Sequence, residues 1–465
     1  MSVPGRISVV LHTHMPYVEG FGTWPFGEEW LWEAVATSYL PVLDLLDGGV
    51  PLTLSLTPVL CDQLEAPGAL DRCAAFLRDV RPASHELDAV AFRAAGEPAL
   101  AAEIERAAGQ YASALAALER CSPGGLLARM APHAAWTSSA THAILPLLAT
   151  DAGTRLQVRT GVAGHRTRFG EDAWRGGFWL PECAHEPWVD RLLAQEGVRA
   201  ACVELPRLTA AVGPPPLLRS ADGPLLVPID RPLIDLVWGA GGYPGRAAYR
   251  DEHRRTARDH RPWANDGSVY DPQRALAQVE ADAQEFAQAC AARVAAGGLS
   301  VLAFDTELFG HHWHEGPAFL RAFAQTCAQR GVALTPLDDA LDALEGEAQP
   351  WPADADVPTS WGAGGDLRTW SGPQVADIAR ALRRAEIEVV HRAATAPDRA
   401  LRELLALQAS DWAFLETFGR AGPYARERSA GHLAALKQAL SAVGSPDSQL
   451  RHLAPHLRRA AVLEP

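Results

Sequence analysis

The amino-acid sequence predicts an α/β protein in which repeated strand–helix units surround a parallel sheet or barrel. Short runs rich in Val, Ile and Leu alternate with longer Ala-, Leu-, Arg- and Glu-rich stretches, which is the pattern of such units. The chain has 465 residues, of which 48% are hydrophobic and 21% charged, as in ordinary globular proteins. This length accommodates a barrel with additional helical parts.

Six segments are predicted to be strands because each is short, apolar and followed by polar residues. They are residues 7–11, 52–56, 177–180, 200–204, 225–229 and 299–304. In parallel sheets and barrels the active site collects at the C-terminal ends of the strands. The residues directly after each run are therefore the candidates for chemistry.

Two stretches are predicted to be wholly helical. Residues of about 62–130 form an Ala-rich helical excursion from the barrel, and from about 374 onward Leu, Ala and Arg recur at helical spacing. A Pro-rich segment at 350–358 separates the two parts. We therefore expect a catalytic barrel over 1–350 and a helical C-terminal domain over 351–465 that contributes to the substrate groove.

The composition argues against several classes of protein. A formal charge of −14 offers no broad basic face for nucleic acid, and no segment approaches the roughly 20 apolar residues of a membrane span. The N-terminal apolar run is too short for a signal peptide. The seven cysteines are scattered without a C-x-x-C pair, so we expect reduced thiols and a cytoplasmic protein.

Four clusters that mix aromatic, imidazole and carboxylate groups lie at predicted strand ends. His12 and His14, two residues apart on a strand, share a face, which suits either metal ligation or hydrogen bonding to a polyhydroxyl substrate. The clusters are Leu11-His12-Thr-His14-Met-Pro-Tyr17, Gly177-Phe-Trp179-Leu-Pro-Glu182-Cys-Ala, Phe304-Asp305-Thr-Glu307-Leu-Phe-Gly-His-His312-Trp313-His314 and Ser360-Trp361-Gly-Ala-Gly-Gly-Asp366.

Glu182 and Asp305 are the principal pair of candidate catalytic carboxylates, because both are expected at the same rim of the sheet. Glycosidic-bond chemistry needs one carboxylate to attack the anomeric carbon and one carboxylic acid to protonate the leaving oxygen. From spacing alone the two are equally well explained as helix caps or salt-bridge partners. Five other carboxylates remain competitors: Glu186, Glu204, Asp230, Asp235 and Glu307.

The chain contains 14 Trp against 7 Tyr, and several indoles lie in polar or Gly-rich segments. Flat indoles suit the apolar face of a sugar ring, although most single tryptophans are core residues. A minority are therefore expected to be sugar platforms, from a set comprising Trp24, Trp179, Trp188, Trp238, Trp313, Trp361, Trp370 and Trp412.

In this order, the four clusters resemble glycoside hydrolase family 57, and more closely its α-1,4-glucan branching enzyme subgroup. Four ordered motifs form a specific signal. Ser410-Asp411-Trp412-Ala-Phe414 also resembles a substrate-binding segment of that subgroup. The resemblance implies an incomplete seven-stranded (β/α) barrel, a helical C-terminal domain, a retaining mechanism on α-1,4-glucan, and no metal or cofactor.

Carried over residue by residue, the resemblance implies Glu182 as nucleophile and Asp305 as general acid/base. It implies that His12 and His14 bind the sugar at the cleaved bond. It further implies that other aromatic and acidic residues line the donor and acceptor grooves: Trp24, Trp179, Trp361, Trp370, Asp411 and Trp412.

The segment 237–245 resembles a mobile loop of the branching subgroup whose tyrosine favours transfer over hydrolysis. Tyr243 occupies the matching place, with Trp238 beside it as a further sugar contact. The chain departs from the subgroup in a shortened segment after Asp251 and in His185, His312 and His314, which stand where other residues are usual. These departures put the subsites in question, while the catalytic pair is intact.

Three other functions remain open on sequence grounds. The same carboxylates serve an α-amylase-type hydrolase or a 4-α-glucanotransferase. A metal-dependent deacetylase or hydrolase would use His12, His14 and Asp305 as ligands. A non-catalytic glucan-binding protein would use only the aromatic groove. Oligomeric state lies beyond what the sequence indicates.

Overall fold

A computed structural model describes residues 5–20, 26–121, 125–206, 212–221, 223–352, 357–441 and 452–464. Within these ranges the chain forms ten strands: β1 (Arg6–Thr13), β2 (Leu52–Leu56), β3 (Ala134–Ser138), β4 (Gly177–Trp179), β5 (Ala200–Val203), β6 (Leu218–Arg219), β7 (Leu225–Pro228), β8 (Leu299–Asp305), β9 (Ala333–Leu334) and β10 (Gln349–Pro350).

The same ranges contain eighteen α-helices. They are α1 (Glu28–Ala34), α2 (Leu40–Asp47), α3 (Pro58–Leu64), α4 (Ala69–Ala75), α5 (Arg81–Ala94), α6 (Pro98–Arg120), α7 (Gly125–Met130), α8 (Asp151–Phe169), α9 (Trp188–Gln195), α10 (Arg231–Trp238), α11 (Pro272–Arg293), α12 (Gly316–Arg330), α13 (Leu337–Leu344), α14 (Arg368–Ser371), α15 (Ala376–His391), α16 (Asp398–Leu407), α17 (Asp411–Thr417) and α18 (Tyr424–Ser441). Single π-helical turns, Val35–Tyr39 and Phe76–Val80, join α1 to α2 and α4 to α5.

Seven parallel strands form the incomplete barrel that the sequence resemblance implied. Their spatial order is β7-β5-β4-β3-β2-β1-β8, and β6, β9 and β10 are short additions at the margins. The strands are buried on both faces, which explains why they read as continuous apolar runs. The end strands β7 and β8 meet through Asp230, whose backbone N–H donates to the Val301 carbonyl at 2.8 Å.

All six predicted strands are present with small differences at their ends, and the predicted helical excursion is confirmed as α3 to α7. The seventh barrel strand, β3, is the one that the sequence did not indicate. Its sequence, Ala-Ala-Trp-Thr-Ser, contains no Val, Ile or Leu, so it lacks the apolar run that marks the others.

The C-terminal helices pack on the barrel through a buried polar contact at the start of α8. Glu386 of α15 is fully buried, and its carboxylate accepts hydrogen bonds from Thr150 N–H at 2.7 Å and Ala149 N–H at 2.9 Å. Thr150 caps α8 through its side chain, which accepts from Gly153 N–H. The contact fixes the C-terminal helices beside the strand ends. Among the described helices, none is long and apolar enough to cross a bilayer.

We predict that Glu386→Ala lowers the free energy of unfolding by roughly 2–4 kcal/mol, because it leaves several buried N–H groups without an acceptor. Glu388→Ala on the same helix is the control, since Glu388 is partly exposed and pairs with Arg392 one turn away. That change is expected to cost about 0.5 kcal/mol or less. Urea unfolding of both variants measures the difference, and equal costs would contradict the assigned contact.

Candidate active site

A cavity of about 1020 Å³ opens at the C-terminal ends of the barrel strands. Its floor is formed by polar side chains that follow β1, β3, β4 and β8, and one wall comes from the C-terminal helices. The central lining residues are His12, His14, His142, Glu182, Asp305, Glu307, Trp361 and Asp411. Strand ends thus gather imidazole and carboxylate groups in one place, as expected for this type of sheet.

Glu182 lies in the turn Pro181–Cys183, directly after β4. Pro181 ends the strand, and Glu182 adopts a left-handed backbone with φ of 59°, which is uncommon for a residue other than glycine. Such a conformation costs of order 1–3 kcal/mol and is found mainly where the surrounding structure fixes it. The turn aims the carboxylate into the cavity, where its side chain is 16% exposed.

Trp361 holds Glu182 in this conformation with two hydrogen bonds. Its backbone N–H donates to the Glu182 carbonyl at 3.0 Å, and its indole Nε1–H donates to Glu182 Oε2 at 2.6 Å. Next to this contact, His185 and Thr359 exchange backbone hydrogen bonds of 2.9 and 3.0 Å. The segment after the Pro-rich seam is therefore docked on the turn that carries Glu182.

Asp305 is the last residue of β8, and the only exposed one on that strand, because it faces the cavity. The register of β1 and β8 sets it directly beside His12. Burial raises the pKa of Asp305 to about 6, and the charges of His14 and His312 oppose that rise.

Glu182 and Asp305 interact electrostatically across the cavity. Burial and the charge of Asp305 raise the pKa of Glu182 to about 8. Two carboxyls coupled in this way share one proton between about pH 6 and pH 8, and the two values belong to the pair. We place the proton on Asp305, since the indole N–H stabilises the ionised form of Glu182 and no described group donates to the Asp305 carboxyl.

Three histidines form a stacked layer beside the pair. His12 Nε2 and His142 Nε2 are 2.9 Å apart, and the outer nitrogens of this couple reach Ser55 Oγ at 3.3 Å and Ser410 Oγ at 2.8 Å. Burial lowers the pKa of His12 and of His142, so both rings are neutral near pH 7 and one must donate to the other.

His14 completes the layer and ties it to the C-terminal helices. Its ring stacks on His142 with centroids 4.0 Å apart, and its Nε2 lies 2.9 Å from Asp411 Oδ1 at the start of α17. Asp411 Oδ2 has no hydrogen-bond partner among the described residues, although it is buried and its residue lines the cavity. It is therefore available as an acceptor for a ligand hydroxyl.

Of the five competing carboxylates, only Glu307 shares the cavity. It accepts hydrogen bonds from Tyr39 Oη at 2.5 Å and His14 N–H at 3.2 Å. Burial and the charge of Asp305 raise the pKa of Glu307 to about 8. The others serve structural contacts: Glu186 with Trp188, Glu204 and Asp235 with Arg231, and Asp230 with Arg293.

The predicted tryptophans divide into cavity residues and core residues. Trp361 and Trp238 line the cavity, and Trp238 is 52% exposed. Trp370 and Trp412, predicted to line the grooves, are buried, 3% and 0% exposed, and neither is among the residues that line the cavity. Trp179 is also fully buried and supports His12 by stacking at 4.6 Å. Trp24 lies outside the described residues.

Tyr243, expected near the tip of a mobile loop, is buried in this structure. Tyr243 begins the short helical turn Tyr243–Gly245 and is 1% exposed. Its ring packs against Phe286 and Phe319, and its hydroxyl lies 3.4 Å from Glu285. The ring of Tyr243 is packed in the core, whereas Trp238 and Pro244 of the same segment line the cavity.

His142 is the central residue that sequence reasoning missed. It follows β3, the strand without an apolar run, and adopts a left-handed backbone with φ of 61°. The available signal was the sequence Thr-Ser-Ser-Ala-Thr-His, a polar stretch ending in histidine after a short hydrophobic segment. Among the departures, His185 is buried against Asp190, while His312 and His314 line the cavity.

The residues considered for a metal are engaged elsewhere. His12 contacts His142, and His14 contacts Asp411. Across the described ranges, no group of three or more His, Cys, Asp or Glu side chains is arranged to hold a metal ion.

The sequence matches two family models. The model of glycosyl hydrolase family 57 covers residues 135–349, and the model of the 1,4-alpha-glucan branching enzyme C-terminal region covers residues 374–461. The first match contains both Glu182 and Asp305, and the second contains Asp411.

Similar proteins occur in bacteria and archaea. A probable 1,4-alpha-glucan branching enzyme of Mycobacterium tuberculosis is 31% identical over 507 residues, spanning 95% of this chain and 93% of that protein. The crystal structure of a family 57 branching enzyme from Pyrococcus horikoshii is 30% identical, with a TM-score of 0.83 over 92% of this chain and 88% of the other. That of a Thermococcus kodakaraensis branching enzyme, in complex with glucose, is 27% identical, with a TM-score of 0.83 over 94% and 90%.

Proposed function

Because the chain belongs to glycoside hydrolase family 57, within its group of 1,4-alpha-glucan branching enzymes, we propose that it cleaves α-1,4-glucan and transfers the released chain to a glucan 6-hydroxyl. The observation that carries the proposal is the coupled pair Glu182 and Asp305 in one cavity, with the indole of Trp361 on Glu182. This pair supplies one ionised and one protonated carboxyl at neutral pH.

In the first half of the reaction, the Glu182 carboxylate attacks C1 of the donor glucose while Asp305 gives its proton to the departing O4. The C1–O4 bond breaks, and an ester between C1 and Glu182 forms. Trp361 orients the attacking oxygen and keeps Glu182 ionised. The neutral histidine layer and Asp411 offer hydrogen bonds to the hydroxyls of the sugar at the cleaved bond.

In the second half, Asp305 has lost its proton and acts as a base. It removes the proton from the 6-hydroxyl of an acceptor glucan as that oxygen attacks C1, and the ester to Glu182 breaks. The product is an α-1,6 branch with retained configuration at C1. Attack by water instead of the acceptor would give hydrolysis.

Three broader points accompany the proposal. The product would serve the synthesis of glycogen or a related storage polysaccharide. The seven cysteines are buried, and none of them forms a disulfide. This supports a reducing compartment such as the cytoplasm. The predicted division at residue 350 is kept, and it is supported by the two family models, which end at 349 and begin at 374.

We expect the purified protein to introduce α-1,6 linkages into amylose, detected as new anomeric signals by proton NMR together with a reducing-end assay. Glu182→Gln is expected to lower this activity by about a thousandfold or more, because the amide cannot attack C1. Glu186→Gln is the matched control: Glu186 also accepts an indole N–H, from Trp188 at 2.5 Å, but does not line the cavity.

The control is expected to retain wild-type activity. Reducing ends that rise without α-1,6 signals would identify a hydrolase, and redistributed linear chains would identify a 4-α-glucanotransferase. Branching that survives Glu182→Gln would contradict the assignment of the nucleophile.

We predict that Trp361→Phe lowers kcat/KM by about 10- to 100-fold, since a hydrogen bond to a charged group contributes about 1.5–3 kcal/mol.

In the wild type, activity is expected to fall below about pH 6, as Glu182 becomes protonated, and above about pH 8, as the pair loses its proton. Loss of the N–H donor raises the pKa of Glu182, so the acidic limb of the pH profile moves to higher pH.

Trp370→Phe is the matched control for this change. Trp370 is buried outside the cavity lining, and its Nε1 has no hydrogen-bond partner among the described residues. We expect the control to alter stability without moving the acidic limb. A Trp361→Phe profile that coincides with the wild type would contradict the role of the indole.

A further inference from the structure

The proposed reaction leaves part of the cavity lining unassigned, and we call this part the second arm. This arm is walled by α5 and α6 of the helical excursion, by the segment 250–261, and by the turn 311–314. Its lining includes His85, Tyr111, Glu252, His260, Arg261 and His312. The arm thus contains the shortened segment and two of the unusual histidines noted in the sequence.

The chemistry of the arm suits a neutral ligand with many hydroxyl groups. Its arginines are paired with carboxylates, as in Arg81 with Glu33 at 2.6 Å and Arg255 with Asp259 at 2.8 Å. Burial lowers the pKa of the arm's His260 to about 4, so that ring is neutral near pH 7. Paired charges and neutral imidazoles can both donate and accept hydrogen bonds, as sugar hydroxyls do.

His312 stands where the arm joins the catalytic pair. It lines the same cavity as Asp305, its backbone N–H donates to the Glu307 carbonyl at 3.0 Å, and its Nδ1 lies 3.3 Å from Glu252 Oε1. Glu252 is also held by Arg261. Its pKa is lowered to about 2, against the effect of burial, by the hydrogen bond from His312 and the charge of Arg261. Glu252 is therefore an ionised acceptor for the Nδ1–H of His312.

The hydrogen bond to Glu252 fixes which ring nitrogen of His312 is left for a ligand. With Nδ1–H donated to Glu252, Nε2 is the ring nitrogen left for a ligand, and it has no hydrogen-bond partner among the described residues. The side chain is 42% exposed, so a ligand can reach it. The indole of Trp238 lies beside it, with ring centroids 6.5 Å apart, and offers an apolar face for a sugar ring.

The position of the arm relative to Glu182 and Asp305 indicates whether it would hold the donor glucan or the acceptor glucan. In the retaining mechanism the acid/base carboxyl stands on the side of the leaving oxygen, and the incoming hydroxyl later occupies the same side. His312 is held on the Asp305 side of the pair, because its backbone N–H donates to the Glu307 carbonyl, two residues after Asp305, at 3.0 Å. Glu252 and Trp238 contact His312, whereas Trp361 holds Glu182. The arm is therefore on the acceptor side of the site.

Resting on the branching reaction proposed above, we propose that this arm binds the acceptor chain and that His312, oriented by Glu252, positions the acceptor glucose. Nε2 of His312 forms a hydrogen bond with a secondary hydroxyl of that glucose while the sugar ring lies on Trp238. The 6-hydroxyl is then free to give its proton to Asp305, as its oxygen bonds to C1 and the ester to Glu182 breaks.

His312→Phe tests the proposal, because it keeps an aromatic ring and removes Nε2. With α-maltotriosyl fluoride as donor, fluoride release without acceptor measures ester formation and hydrolysis. Added amylose then measures transfer. We expect KM for amylose to rise about tenfold, the effect of one lost hydrogen bond, which is a larger change than any in fluoride release without acceptor. His312→Gln is expected to recover part of this loss, because its amide can form a hydrogen bond with the same hydroxyl.

His133→Phe is the matched control, since His133 also pairs with a carboxylate, Asp47 at 2.8 Å, but lies outside the cavity lining. It should leave KM for amylose unchanged. Unchanged transfer in His312→Phe, or fluoride release that falls in parallel with transfer, would overturn the proposal. A wild-type protein that releases fluoride but forms no α-1,6 bonds would instead overturn the branching function itself.

Discussion

The site depends on one hydrogen bond, from the indole of Trp361 to Glu182 at 2.6 Å. Two carboxyls coupled in one cavity are not both ionised near neutral pH, so their surroundings determine which of them carries the charge. The indole N–H places the charge on Glu182, because it stabilises the carboxylate form of that residue. The backbone N–H of Trp361 also holds the left-handed backbone of Glu182, which aims this carboxylate into the cavity. Nucleophile and acid are thus distinguished by their surroundings, although both are carboxyl groups.

The same requirement explains why the C-terminal part of the chain is needed at a barrel active site. Trp361 follows the Pro-rich seam, and Asp411 and Ser410 at the start of α17 bind His14 and His142. The histidine layer therefore bridges β1, the residues after β3 and the C-terminal helices. Glu386 anchors those helices on the barrel away from the cavity. Displacement of the C-terminal helices would disturb the charge on Glu182 and the hydrogen bonds of the histidine layer together.

The sequence predicted the strands that carry apolar runs and the carboxylates that follow them, because local composition indicates where such strands end. It failed for β3, whose Ala-Ala-Trp-Thr-Ser sequence has no such run, and His142 was lost with it. Whether an aromatic ring faces a cavity or the core depends on contacts far apart in sequence. The burial of Trp370, Trp412 and Tyr243 is therefore not evident from local sequence, and the expectation that Asp411 belongs to the site, beside His14 nearly 400 residues earlier, came from the family resemblance alone.

The account is tested most directly by trapping the covalent intermediate. Asp305→Asn removes the base of the second half-reaction, while α-maltotriosyl fluoride, with its good leaving group, still allows the first. Mass spectrometry of the intact variant is expected to show the added mass of one maltotriosyl group, and peptide mapping is expected to place it on Glu182. A label on Glu307 or another side chain, or no label while fluoride is released, would contradict the assignment of Glu182 as the ionised nucleophile.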